Sequence, residues 1–305
     1  MREKVLINDV GPRDGLQNQQ RVLRVEQRVQ IIRGLLNAGV RSVEAGAFVS
    51  PKAVPAMANT DQVLAGIAGD SSVDRQVLIP NAKGYELARD AGANTVVLVI
   101  CATETMNQRN VRMSVEDSLA QAQGIFQAAQ ADGIRAVGCI AVGWQCPFEG
   151  ATDPGKVMDL AGRLFEFGAD DVNIADTIGA ANPMAVRSLM GALAREYGPQ
   201  RLACHFHDTR ALALGNICAA LDAGVRKFDS AIGGIGGCPF APGATGNAAS
   251  EDVVMLLEQM GFDTGIDLTA LMEVGSMVGS MLDVPTGGRA DTWRRLQVEK
   301  GAPLT

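Results

Sequence analysis

The chain has 305 residues, of which 47% are hydrophobic and 20% charged, ample for one large core and inconsistent with extensive disorder. Aromatic residues are scarce at 4% while glycines number 35, so the core must rest on aliphatic side chains and close helix packing. A net charge of −7 with no run of Lys and Arg argues against nucleic acid as a partner, and no apolar run reaches membrane-spanning length.

Short apolar runs rich in Val and Ile predict strands at 5–10, 42–48, 75–80, 95–100, 135–142, 171–176, 202–208 and 227–235. Amphipathic runs between them, such as 25–39, 114–133 and 182–198, predict helices, several ending in Gly before the next strand. Eight strand–helix units point to an α/β closed TIM (β/α)8 barrel. The absence of a Gly-x-Gly-x-x-Gly turn after the first strand speaks against a doubly wound sheet. No composition break divides residues 1–285, read as one catalytic domain that includes an extra C-terminal helix at 267–283. Residues 286–305 read as a charged, loosely held tail.

Along this scaffold the first strand ends in NDVGPRDGLQNQ (8–19). Asp14 offers an anionic oxygen to a metal, and Arg13 a planar fork for a carboxylate, carbonyl or enolate oxygen. A solvated turn with a surface ion pair is the competing reading. Glu44 lies among apolar neighbours in the second strand, so it must be paired, with Arg13 as one partner, or held protonated. Structural and catalytic roles both stand for it. The sixth strand brings Asn173 and Asp176 to the same mouth.

The seventh strand run ends in HFHDT (205–209), which contains both histidines of the chain. Residues two apart in a strand face the same side, so His205 and His207 sit roughly 7 Å apart at Cα. Two imidazoles at that spacing can grip one metal ion, and barrel active sites lie at that end of the strands. The competing reading is two buried histidines bonded to backbone. Asp208 points the other way and is read as an orienting group.

The stretch GGIGGCPFAPGATGN (233–247) suits a loop that closes over a site, with Cys238 at its middle as a reactive or proton-donating thiol. Asn247 either caps the following helix or gives its oxygen to the metal. The six cysteines form no Cys-x-x-Cys pair and no disulfide framework, which points to a reducing compartment. The N-terminus lacks an apolar signal core, so the expectation is a soluble, cytoplasmic protein.

Taken together, GPRDGLQNQ (11–19), SVEAGAFVSPKAVPAMANTDQV (42–63), PNAKGYELARDAGA (80–93), CPFEG (146–150), ADTIGAANP (175–183), HFHDT and the glycine-rich loop resemble the 3-hydroxy-3-methylglutaryl-coenzyme A lyase family over nearly the whole chain. The resemblance implies a divalent cation, Mg²⁺ or Mn²⁺, held by Asp14, His205, His207 and Asn247. It implies that Arg13 stabilises the enolate oxygen of a departing thioester, that Cys238 arrives as general acid, and that Glu44 and Asp176 support the site. Gln17 and the turn containing Lys52 would help place an acyl-coenzyme A. It also implies a step of leucine catabolism and a homodimer. Arg210 stands where the family commonly has Tyr, and is read as a cation able to meet substrate and alter the acyl preference toward a related thioester, such as citramalyl-coenzyme A or a longer 3-hydroxy-3-alkylglutaryl group. A condensing enzyme or aldolase acting on a 2-oxo acid, and a catalytically silent metal-binding protein, are the alternatives.

Overall fold

The computed structural model describes residues 2–237 and 246–301. Eight parallel strands close into a barrel: β1 (Leu6–Asp9), β2 (Ser42–Ala47), β3 (Asp74–Leu78), β4 (Thr95–Cys101), β5 (Arg135–Ala141), β6 (Asp171–Asp176), β7 (Leu202–Phe206) and β8 (Lys227–Ser230). Each strand pairs with its sequence neighbours, and β1 closes the ring against β8. Closure removes both sheet edges and leaves one mouth at the C-terminal ends of all strands. A two-residue hairpin, Gln145–Cys146 against Gly150–Ala151, stands outside the barrel.

Helices α1 (Val25–Asn37), α2 (Thr60–Gly66), α3 (Ala82–Asp90), α4 (Glu104–Val111), α5 (Val115–Asp132), α6 (Pro154–Glu166), α7 (Pro183–Tyr197), α8 (Ala213–Asp222), α9 (Ser250–Gln259), α10 (Leu268–Leu282) and α11 (Arg289–Glu299) follow in chain order, and local chemistry sets their ends. Helix α5 (Val115–Asp132) begins where the Ser114 hydroxyl accepts the Asp117 N–H, and stops where Gly133 turns left-handed at φ 70°. Helix α7 (Pro183–Tyr197) begins with the Asn182 side chain accepting the Ala185 N–H, with Pro in its first turn. Helix α1 (Val25–Asn37) turns the stripe Arg28, Ile31, Ile32, Leu35 inward, the i, i+3, i+4, i+7 spacing of a helix lying on a sheet. The core is continuous and aliphatic, from Ile7 and Val43 through Ile140 and Ile174 to Leu257 and Val278.

Three elements differ from the sequence reading. The eighth strand ends at Ser230, not 235, because the chain turns at Ile232–Gly234, where Gly233 takes φ 66°. The seventh ends at Phe206, and His207 instead makes an isolated bridge to Asn247. Within 286–305, Arg289–Glu299 forms a helix, α11, because Asp252 accepts the Arg289 and Ala290 N–H groups at its first turn and Ala290 and Asp291 are buried. The extra helix α10 (Leu268–Leu282) is present, capped by Asp267. No helix among the described residues is long and apolar enough to cross a membrane.

Candidate active site

Residues Gly11–Gly15 form a single wide turn at the end of β1, with five-residue rather than four-residue hydrogen-bond spacing. Asp9 anchors it. Its Oδ1 accepts the Gly11 N–H at 2.9 Å and its Oδ2 accepts the Ser250 hydroxyl at 2.7 Å. Burial lifts Asp9 to about 6, although these hydrogen bonds pull the other way. Gly11 has no room for a side chain, since a Cβ there would lie 2.8 Å from both Asp9 Oδ1 and Ile232 Cγ2. The turn thereby aims Arg13 and Asp14 into the barrel mouth.

Arg13 Nε donates to Glu44 Oε2 at 2.7 Å, and Nη1 donates to Asp14 Oδ1 at 2.6 Å. Burial alone would lower the Arg13 pKa, but the two carboxylates outweigh it and the net direction is up. Burial lifts Glu44 to about 7 against the pull of Arg13. Asp14 goes the other way. Burial would raise it, yet Arg13 and the two imidazoles hold it far below the usual carboxylate range. Opposite directions in adjacent carboxyls mark a site where one is tuned toward neutrality and its neighbour stays anionic.

His205 and His207 face each other with ring centroids 5.1 Å apart. His207 Nε2 lies 3.8 Å from Asp14 Oδ2. Ligand atoms of Asp14, His205 and His207 all fall within 4.8 Å of one another. Asn247 completes the cluster. Its Nδ2 donates to Asp14 Oδ2 at 2.9 Å and to the Ile235 carbonyl at 3.1 Å, while its buried Oδ1 has no partner. An orphaned buried oxygen beside a carboxylate and two imidazoles fits a divalent cation, whose oxygen and nitrogen donors would be this set. Asn247 does not cap the next helix. That helix, α9 (Ser250–Gln259), starts at Ala249 without a side-chain cap. Gly236 permits the arrangement, since a Cβ there would come within 2.5 Å of Asn247 Nδ2.

These groups open onto a cavity of ≈ 320 Å³ whose lining includes Arg13, Asp14, Gln17, Glu44, His205 and His207. Its far wall is aliphatic, with Val97, Val99, Met106, Val111 and Met113. Other expected site residues fall elsewhere. Asp176 is buried just behind, its oxygens accepting the Ala180 and Ala181 N–H groups at 2.8 and 3.0 Å, and burial raises its pKa. Lys52 and Arg210 are exposed and do not line the cavity. Cys238 lies outside the described residues. Asp208 accepts the Ala213 N–H at 3.0 Å, away from the cluster.

The sequence reading overlooked Asp229, whose Oδ2 lies 3.0 Å from His205 Nδ1. Burial works to lower the His205 pKa, and Asp229 reverses it to a net rise. The available signal was a lone carboxylate in the strand run KFDSAI. It also overlooked Glu251, buried in α9, whose oxygens accept the Gly233 N–H at 3.1 and 3.0 Å and which burial lifts to about 8.

The model of the HMGL-like family matches residues 4–278. The chain is 41% identical over 288 residues to the hydroxymethylglutaryl-CoA lyase of Pseudomonas mevalonii, covering 94% of this chain and 96% of that protein. It is 42% identical over 288 residues to the 3-hydroxy-3-isohexenylglutaryl-CoA/hydroxy-methylglutaryl-CoA lyase of Pseudomonas aeruginosa, with the same 94% and 96% coverage. The crystal structure of hydroxymethylglutaryl-CoA lyase from Pseudomonas aeruginosa superposes with a TM-score of 0.94 at 40% identity, covering 97% of this chain and 99% of that one.

Proposed function

Since the chain belongs to the HMGL-like family, we propose that it is a carbon–carbon lyase cleaving 3-hydroxy-3-methylglutaryl-coenzyme A to acetyl-coenzyme A and acetoacetate. The observation that carries the reading is the meeting of Asp14, His205, His207 and the unpartnered Asn247 oxygen beside the Arg13–Glu44 pair. A divalent cation held by those four residues, Mg²⁺ or Mn²⁺ in this reading, supplies Lewis acidity toward the substrate's tertiary hydroxyl and neighbouring oxygens.

The chain's own groups account for the rest. Glu44, the carboxylate beside the metal ligands whose Oε1 has no partner among the described residues, takes the hydroxyl proton. The electron pair left on oxygen forms the ketone, the bond between the carbinol carbon and the carbon α to the thioester breaks, and its electrons pass to the thioester as an enolate. Arg13 spends Nε and Nη1 on Glu44 and Asp14. Its Nη2 remains for the enolate oxygen, in a cavity where a fixed cation acts more strongly than in water. Cys238 gives the enolate carbon its proton and yields acetyl-coenzyme A. Asp176 steadies the loop behind the histidines, Gln17 meets the acyl-coenzyme A inside the cavity, and the exposed Lys52 and Arg210 meet the part of it that lies outside.

The aliphatic wall at Val97, Val99 and Met113 favours a second reading, in which a longer 3-alkyl branch replaces the methyl group. We further assign residues 1–285 to one catalytic domain, the protein to the cytoplasm and leucine breakdown, and its working form to a homodimer. The deciding experiment assays a panel of 3-hydroxy-3-alkylglutaryl thioesters for acetyl-coenzyme A release, with and without a chelator. Release from at least one, abolished by the chelator and restored by Mg²⁺ or Mn²⁺, is expected. Turnover that ignores the chelator, or none on the whole panel, overturns the reading.

A further inference from the structure

Asn8, Asp229 and His205 occupy one level of three adjacent strands, with Asn8 paired to Asp229 between β1 and β8, and Asp229 paired to His205 between β8 and β7. At this level the barrel interior is polar. Asp229 Oδ1 accepts Asn8 Nδ2 at 2.9 Å, and Oδ2 accepts Asn173 Nδ2 at 2.7 Å and lies 3.0 Å from His205 Nδ1. The amide orientation of Asn8 is fixed in turn, because its Oδ1 accepts the Ser42 hydroxyl at 2.9 Å and Ser42 also receives Gln76 Nε2 at 3.0 Å. Both asparagine neighbours of Asp229 donate to it.

We infer that Asp229 is the positioning residue that fixes His205 in the Nδ1–H tautomer, so that its Nε2 lone pair is turned toward Asp14 and His207. The physical argument is one of elimination. The opposite tautomer would set an Nδ1 lone pair against a carboxylate lone pair at hydrogen-bond distance, between side chains only 10% and 12% exposed. The aspartate is held in place by two asparagines, whose Nδ2 groups donate to its two oxygens. A carboxylate on the far nitrogen also raises the basicity of the near one, which strengthens it as a metal ligand. His207 has no such partner, since its buried Nδ1 is unsatisfied. The two imidazoles are therefore unequal, and His205 is the pre-set member of the pair.

The inference rests on the metal reading given above for its consequence, but not for the tautomer. The chain has only two histidines, so imidazole-¹⁵N labelling yields two ring systems, assigned through His207→Gln. In metal-free protein at alkaline pH, His205 is expected to show a protonated Nδ1 and a bare Nε2. The reverse pattern, or fast averaging of the two, overturns the proposal. Mn²⁺ affinity, read by electron paramagnetic resonance, is expected to fall about 10–100-fold in Asp229→Asn. Ser42→Ala, at the remote end of the same network, is expected to lower the melting temperature and leave Mn²⁺ affinity within twofold. Equal affinity in Asp229→Asn and wild type, or an equal loss in Ser42→Ala, would show that Asp229 serves only the fold. Should Asp229→Asn fail to fold, the wild-type nitrogen spectrum alone decides. Should wild type take up no Mn²⁺, the metal reading falls while the spectrum still judges the tautomer.

Discussion

Arg13, in the turn after β1, and Glu44, on β2, form a largely buried pair, with Nε and Oε2 2.7 Å apart and the second arm of the guanidinium on Asp14 at 2.6 Å. One planar cation thus ties the proposed enolate-binding position to a proposed metal ligand. A lysine cannot reproduce that geometry, since an ammonium is a point charge without a fork. Arg13→Lys is expected to lower kcat at least about 100-fold, with Mn²⁺ still bound. Steady-state kinetics with a metal titration checks this, and near-normal kcat in the lysine variant would rule out the assigned role.

Asn247 does two things at once: Nδ2 holds Asp14 and Ile235, and Oδ1 waits unpartnered. Asn247→Asp replaces the donor by a second anion beside Asp14. The metal-free variant should melt several degrees below wild type through like-charge repulsion. Saturating Mn²⁺ should raise its melting temperature by more than it raises wild type's, because the cation relieves the repulsion as well as binding. Thermal scans with and without Mn²⁺ measure both. A metal response smaller than that of wild type refutes a ligand role for position 247.

These two residues also show what the sequence could convey. Strand parity was enough to put His205 and His207 on one face, and cap residues such as Ser114 and Asn182 set helix starts to within a residue. Partners across strands were not legible. Asp229 meets His205 only because β8 lies between β7 and β1 once the barrel closes, and nothing local to KFDSAI states that. Asn247 was ambiguous for a different reason: capping and ligation ask for the same amide oxygen just before a helix. The fold removes the capping reading, because Gly236 and Ile235 draw Asn247 against Asp14 and leave Ala249 at the helix start.

Glu251 gives a pH prediction with a definite sign. Burial lifts its carboxyl from 4.5 to about 8. Between those values the folded protein keeps a proton that the unfolded chain releases. The stability tied to the neutral form is therefore complete below pH 4.5 and is lost as the pH rises through about 8. Glu251→Gln keeps an acceptor for the Gly233 N–H and cannot ionise. Its melting temperature should gain on wild type from pH 5 upward and lead by about 5 °C at pH 9. A difference that stays constant across that range, or shrinks, contradicts the assignment.

Arg28 is the remaining buried charge that the site depends on. It is 1% exposed and has no carboxylate partner among the described residues. Instead it donates to the Ala58 carbonyl at 2.9 Å, the Ala45 carbonyl at 3.3 Å and the Thr60 hydroxyl at 3.4 Å. Burial pulls its pKa down to about 10, so it stays charged at neutral pH. The register of β2 against β3 slips between Glu44 and Gly46, the bulge that contains Ala45. Arg28 holds that carbonyl from the helix side while Glu44 meets Arg13 on the barrel side. Its place in the 28, 31, 32, 35 stripe was the overlooked signal, because a cation on the apolar face of a helix needs an acceptor inside. Arg28→Met fills the volume but leaves these acceptors unmet, a loss of about 3 kcal/mol, or roughly 6 °C in melting temperature. Because the bulge aims Glu44, kcat should fall about tenfold with KM little changed, as for an interaction that counts in the transition state. Arg28→Lys, which retains a donor, should recover part of both. If Arg28→Met melts with wild type, the bulge stands without Arg28, and Glu44 owes its aim to Arg13 alone.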